Sequence, residues 1–118
     1  KRFTKIITII CGSGLYYLLP RTRGREEKIM FEMGLLVITN GINDKLDSVR
    51  FSKEITVALH RFTNADWGEM DPEDIEANNE ALRTGERLFA AYQTSEGKIW
   101  IITEADRSAT TILFPDEY

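Results

Sequence analysis

Two carboxylates, a guanidinium and several hydroxyls crowd one short stretch of this sequence, and any chemistry has to be sought there first. Glu104, Asp106 and Arg107 fall close together, flanked by Thr103, Thr110 and Thr111. Carboxylates at the ends of adjacent strands can hold a divalent cation or serve as acid and base. The same residues also have a plainer use. Asp bonds its own backbone in a turn, Arg107 can pair with Glu104, and threonines suit strands. His60 is the one histidine of the chain. No acid stands at a helix-neighbour position to orient it, so it is weak as a general base and insufficient as a metal site. The residue types therefore point to no metal and no cofactor.

Two further features invite a functional reading. Asp66-Trp67-Gly68 follows a helical stretch and could offer an aromatic surface to a ligand or base. More cheaply, Asp66 ends the helix and Trp67 closes the core. Glu69, Asp71, Glu73, Asp74, Glu76, Glu80 and Glu86 surround one helix, opposed by Arg83 and Arg87. The acidic face of Glu73, Glu76 and Glu80 most simply meets solvent. It is also what a DNA-mimicking inhibitor would present to a basic nuclease groove.

The elements that must position these groups are readable from pattern. Leu35 to Thr39 is an apolar run closed by Asn40-Gly41, as expected of a strand buried on both faces. A helix capped by Ser52 should follow, with Ile55, Leu59 and Phe62 on its core side. A second helix starts with Asp71 as N-cap, Pro72 at the first position and Glu73 and Asp74 in the first turn, and ends at Gly85. Its apolar face, Ile75 and Leu82, is completed by Asn78 and Asn79, so at least one amide should point inward. Leu88 to Gln93, Ile99 to Thr103 and Thr110 to Phe114 read as three strands joined by short turns. The expectation is an α+β fold, order β-α-α-β-β-β, with a small antiparallel sheet and two helices packed on one face.

Length and charge narrow the rest. A chain of 118 residues, 42% apolar and with 10% aromatics, makes one domain with a real core. Residues 1–28 hold seven basic and two acidic residues, a charge of +5; since the whole is −4, the remainder carries −9. The apolar stretch between Lys5 and Pro20 is too short for a bilayer, which needs about 20 such residues, and no small-residue cleavage site follows it. Residues 24–29 can be encoded by a run containing a GGAGG core roughly eight nucleotides before an ATG at Met30. We therefore read residues 1–29 as a basic leader outside the natural product and 30–118 as a single acidic domain, with Met33 the second choice of start. Cys11 is the sole cysteine, so no intrachain disulfide forms and a cytoplasmic setting fits. A −9 domain without a basic stripe disfavours direct nucleic-acid binding, no membrane partner is expected, and so small a sheet is compatible with a homodimer.

One longer pattern goes further. Asp66-Trp67-Gly68, the Asp71 helix with Asn78, Gly85-x-Arg87-Leu88, Ala91-Tyr92 and the run from Trp100 to Pro115 ending in Tyr118 resemble a family of small bacterial proteins. Its members are carried on plasmids and integrative elements, are usually called hypothetical or plasmid-related, and are sometimes mislabelled as restriction-modification subunits. The resemblance spans residues 34–118, leaves the leader without a counterpart, and implies a mobile-element setting without an assigned activity. Members usually carry Gly just before Asp-Trp-Gly; this chain has Ala65, a departure that argues against a tight turn there. Three functions follow as expectations, in this order: an accessory protein binding another protein; an acidic inhibitor of host restriction or a related nuclease; and a small enzyme using Glu104, Asp106 and Arg107. The candidate interaction residues are Asp66, Trp67, Asn78, Glu104, Asp106, Arg107, Thr110 and Thr111.

Overall fold

Strand β3 (Leu88–Thr94) and strand β4 (Gly97–Thr103), each built on a continuous apolar run, are joined by a two-residue turn, Ser95-Glu96, and pair antiparallel along their whole length. In the computed structural model, which describes the backbone of Ile6–Ile9 and residues 31–118, this hairpin anchors the sheet. The remaining elements are β1 (Ile6–Ile9), β2 (Leu35–Thr39), α1 (Asn40–Lys45), α2 (Val49–Thr63), α3 (Pro72–Thr84), β5 (Ala109–Leu113) and a 3₁₀ turn, Pro115–Glu117. The sheet order is β1-β2-β5-β4-β3. Apart from β1, the expected leader, residues 1–29, lies outside the described residues, as do Cys11 and Met30.

The α+β class and the β3-β4-β5 meander stand as expected. The sheet is mixed rather than purely antiparallel, because β2 runs parallel to β5. After three helices the chain enters the sheet at the far edge, and a three-strand meander returns β5 to the middle with the direction of β3. An apolar run buried on both faces, as β2 is, reads the same in either direction, so residue pattern alone does not encode this pairing.

Helix α2 begins four residues earlier than its apolar stripe suggests. Ser48, not Ser52, is the N-cap, its Oγ accepting from the Phe51 amide at 3.2 Å, while Ser52 Oγ donates to the Leu46 carbonyl at 2.8 Å. Phe51 thus joins Ile55, Leu59 and Phe62, and all four are fully buried. In α3, Asp71 does stand at the N-cap and Gly85 is the left-handed C-cap (φ 83°), but the Asp71 side chain makes no capping bond. Helix α1 was not expected. The Glu117 carboxylate holds its start, accepting from Thr39 Oγ1 at 2.5 Å, the Gly41 amide at 2.8 Å and the Phe114 amide at 3.0 Å.

The main core lies between α2, α3 and the inner sheet face, which contributes Leu36, Ile38, Ala90, Tyr92, Ile99, Ile101 and Ile112. Burying each large side chain there contributes about 1.5–3 kcal/mol. On the outer face Val37, Ala91, Ile102 and Leu113 are also buried. Beside them Phe89, Trp100 and Tyr118 stack edge to face at 4.9 and 5.8 Å. Among the described residues no helix is long and apolar enough to cross a membrane.

Candidate functional site

The segment after α2 turns on two left-handed residues, Ala65 (φ 63°) and Gly68 (φ 77°). The tight turn that Ala65 argued against is therefore made, with alanine in it. Arg61 grips the Asp66 carboxylate through Nε at 2.9 Å and Nη2 at 3.1 Å, and Asp66 Oδ1 also accepts from the Gly68 amide. The Arg61 hydrogen bond is the main reason that the Asp66 carboxyl sits below its ordinary value, and in return Arg61 is pushed up. Tyr92 OH donates to the Asp66 carbonyl at 2.6 Å, and burial pushes this phenol far up. Trp67 is 3% exposed. It meets Phe62 edge-on at 5.5 Å and Phe31 stacked at 6.3 Å, and its Nε1 donates to Asn79 Oδ1 at 3.0 Å. A side chain so enclosed packs the core and presents no ring face to a ligand.

Asn78 and Asn79 explain why the apolar face of α3 is completed by amides. Asn78 is 5% exposed; its Nδ2 donates to the Phe89 carbonyl at 2.7 Å and its Oδ1 accepts from the Phe89 amide at 3.1 Å. Two residues along β3, the Ala91 carbonyl accepts from Glu69 N and the Ala91 amide donates to the Trp67 carbonyl. Strand β3 is the sheet edge. The Asn78 amide and the Trp67–Glu69 backbone therefore stand in for a missing neighbour strand and cover an edge that would otherwise pair with another chain.

The turn at Glu104 does not converge. Arg107 makes no ion pair with Glu104, contrary to the pairing its position suggested. Its Nη1 donates to the carbonyls of Glu86 (2.7 Å), Glu104 (3.1 Å) and Ala105 (3.2 Å), and its Nη2 to that of Ala81 (3.1 Å). Orphan carbonyls at a helix C-terminus attract a cation, and that attraction outweighs a solvated carboxylate next door. Asp106 folds onto Ser108, accepting from its amide at 3.0 Å, and the Ser108 bonds lower its carboxyl. Thr110 is buried, donating to the Met33 carbonyl and sharing a bond with Thr103 Oγ1, each at 2.7 Å. Thr111 faces the other side of the sheet, in register with Val37 and Ile102. The described residues hold no group of three or more His, Cys, Asp and Glu side chains suited to a metal ion. His60 lies half-buried on α2, its carbonyl taken by Thr63 and Asn64.

What sequence reading missed is a groove of about 290 Å³ between α2 and the edge strand. Its floor is apolar, formed by Val57, Ala58 and Tyr92, and its rim carries Arg50, Lys53 and Arg61. Val57 is 53% exposed. The available signal was Val57 standing off the core stripe of α2 among basic residues. The acidic stripe of Glu73, Glu76 and Glu80 lies exposed on α3, with Glu80 bonded to Arg83 at 2.5 Å. Against known proteins, this chain matches no family model, no curated protein and no solved structure.

Proposed function

We propose that this chain is an accessory protein of a bacterial mobile genetic element, acting in the cytoplasm by binding another protein rather than by catalysis. The observation that carries this reading is the α2–β3 groove. An apolar floor with a charged rim is the usual anatomy of a protein-binding patch, while the polar residues that suggested chemistry are engaged in holding turns and helix ends. The mobile-element setting rests on the sequence resemblance alone. Self-association through β3, which a bare edge would invite, is opposed by the cover that Asn78 and Trp67–Glu69 provide.

The inhibitor reading keeps one specific support, the exposed stripe of Glu73, Glu76 and Glu80 along α3. A photo-crosslinking residue placed at Val57 or, separately, at Glu76 in native-host cells distinguishes the two. We expect one discrete adduct from Val57 that also forms when fresh lysate is irradiated at high salt. An adduct from Glu76 alone, formed with a nuclease and failing to form when lysate is irradiated at high salt, would replace the accessory reading with the inhibitor.

A further inference from the structure

The groove's own chemistry describes what it takes, and the inference drawn here rests on the protein-binding reading above. The chain as a whole is acidic, at −4, yet the groove is lined by Arg50, Lys53 and Arg61 against Glu54 alone. Glu54 is occupied: its Oε1 accepts from the Ser95 amide and hydroxyl at 3.0 and 2.8 Å, and Arg50 stands 3.7 Å from its Oε2. Arg61 is held by Asp66. Lys53 has no carboxylate partner among the described residues, and its ammonium is exposed beside Val57. Arg50 and Arg61 are thus each matched by a carboxylate, and Lys53 leaves one unmatched positive charge on the rim beside the apolar Val57.

The strand edge supplies a second, independent feature. Peptide groups of alternate residues in an antiparallel edge strand point away from the partner strand. Because Ala91 bonds outward, Phe89 and Gln93 share its orientation. Phe89 is covered by Asn78, and Ala91 by Trp67 and Glu69. Gln93, which also lines the groove, is the outward-facing position of β3 without such cover among the described residues.

We propose that the α2–β3 groove binds an extended acidic peptide of a partner protein. One aliphatic or aromatic side chain of the peptide sits on the exposed Val57, its carboxylates meet Arg50 and Lys53, and its main chain pairs with the Gln93 peptide unit. Strand addition supplies affinity through the backbone and selectivity through the pocket. The open edge is only one residue long, so charge and the apolar anchor carry most of the discrimination.

The test is fluorescence anisotropy on the full chain with a labelled ten-residue probe of alternating Glu and Asp around a central Leu. Saturable binding is expected, weakened about tenfold or more by Arg50→Glu with Lys53→Glu, and likewise by Val57→Asp. N-methylation of the probe's central residue should weaken it about fivefold, because it removes a main-chain donor. All three substituted residues lie on the surface, and circular dichroism confirms that the variants are folded. Equal binding of a lysine-for-acid analogue, or indifference to the Val57 and Lys53 changes, overturns the proposal. Displacement of the probe by a twelve-residue oligothymidine of higher affinity also overturns it, in favour of a nucleic-acid strand. If Val57 still crosslinks a protein in cells while the acidic probe fails to bind, the acidic-peptide inference falls and the protein-binding reading stands; if Val57 crosslinks nothing, that reading falls instead.

Discussion

Ala65 sits in the left-handed region at φ 63°, where its Cβ crowds the following carbonyl, a strain that glycine does not share. Ala65→Gly should therefore stabilise the protein by about 0.5–1 kcal/mol, read as a higher urea midpoint with unchanged slope; a lower midpoint would show that the Ala65 methyl packs better than its backbone suffers. Three residues on, the balance reverses. Gly68 also has positive φ, and a Cβ there would lie 2.1 Å from the Ala91 carbonyl oxygen and 2.6 Å from the Tyr92 ring. Gly68→Ala should cost about 2–4 kcal/mol, since the turn must move away from the strand it covers. Asp66, between them, adds a pH dependence of definite sign. Its folded pKa lies below the unfolded value of about 3.9, so the Arg61 bridge stabilises fully above that value and is lost as pH falls through the lower, folded one. With Asp66 half exposed in that pair, the effect stays below about 1 kcal/mol. Thermal melts of Asp66→Asn between pH 5 and 2 should therefore fall less steeply than those of the wild type, and parallel curves would remove the bridge from the stability account.

Elements meet at polar joints that apolar periodicity does not reveal. The inward amide was legible, because Asn78 and Asn79 occupy positions where Ile75 and Leu82 call for aliphatics. Its purpose was not, because covering Phe89 depends on where α3 lies against β3, which the α3 sequence does not state. The same limit applies to α1. Asn40-Gly41 reads as a turn, and nothing near it announces that Glu117, more than 70 residues away, will cap the next helix. The candidate site followed this pattern too. Glu104, Asp106 and Arg107 are adjacent in sequence, but Arg107 is drawn to the end of α3 instead of to its neighbours. Asn78→Leu should cost about 2–4 kcal/mol, because it leaves both Phe89 peptide groups unsatisfied. It should also add concentration-dependent association through the uncovered edge, read by size-exclusion chromatography. Glu117→Gln keeps the shape but removes the charge that takes three donors, and should cost about 1–2 kcal/mol in urea unfolding. An unchanged midpoint would mean that α1 is held by the buried Ile42 alone.

At the scale of the whole molecule the connectivity orders the folding. The β3–β4 hairpin closes through a two-residue turn that Glu54 tethers to α2. The parallel β2–β5 pairing instead joins segments separated by α1, α2, α3 and that hairpin. Loop closure over such a span must be completed before its contacts stabilise anything, so the central pairing is expected to form late. Two matched substitutions separate these stages. Ile101 in β4 and Ile38 in β2 are both buried on the inner face and both pack in register with Ile112. Shortening either to Val should cost about 1 kcal/mol at equilibrium. Ile101→Val, inside the early hairpin, should appear mainly as slower folding, whereas Ile38→Val should leave the folding arm of the chevron nearly in place and speed unfolding. If Ile38→Val slows folding as much as Ile101→Val does, the β2–β5 closure belongs to the nucleus. The helices would then assemble on a sheet whose centre is already joined, and α2, one wall of the groove, would dock after the strand that forms the other.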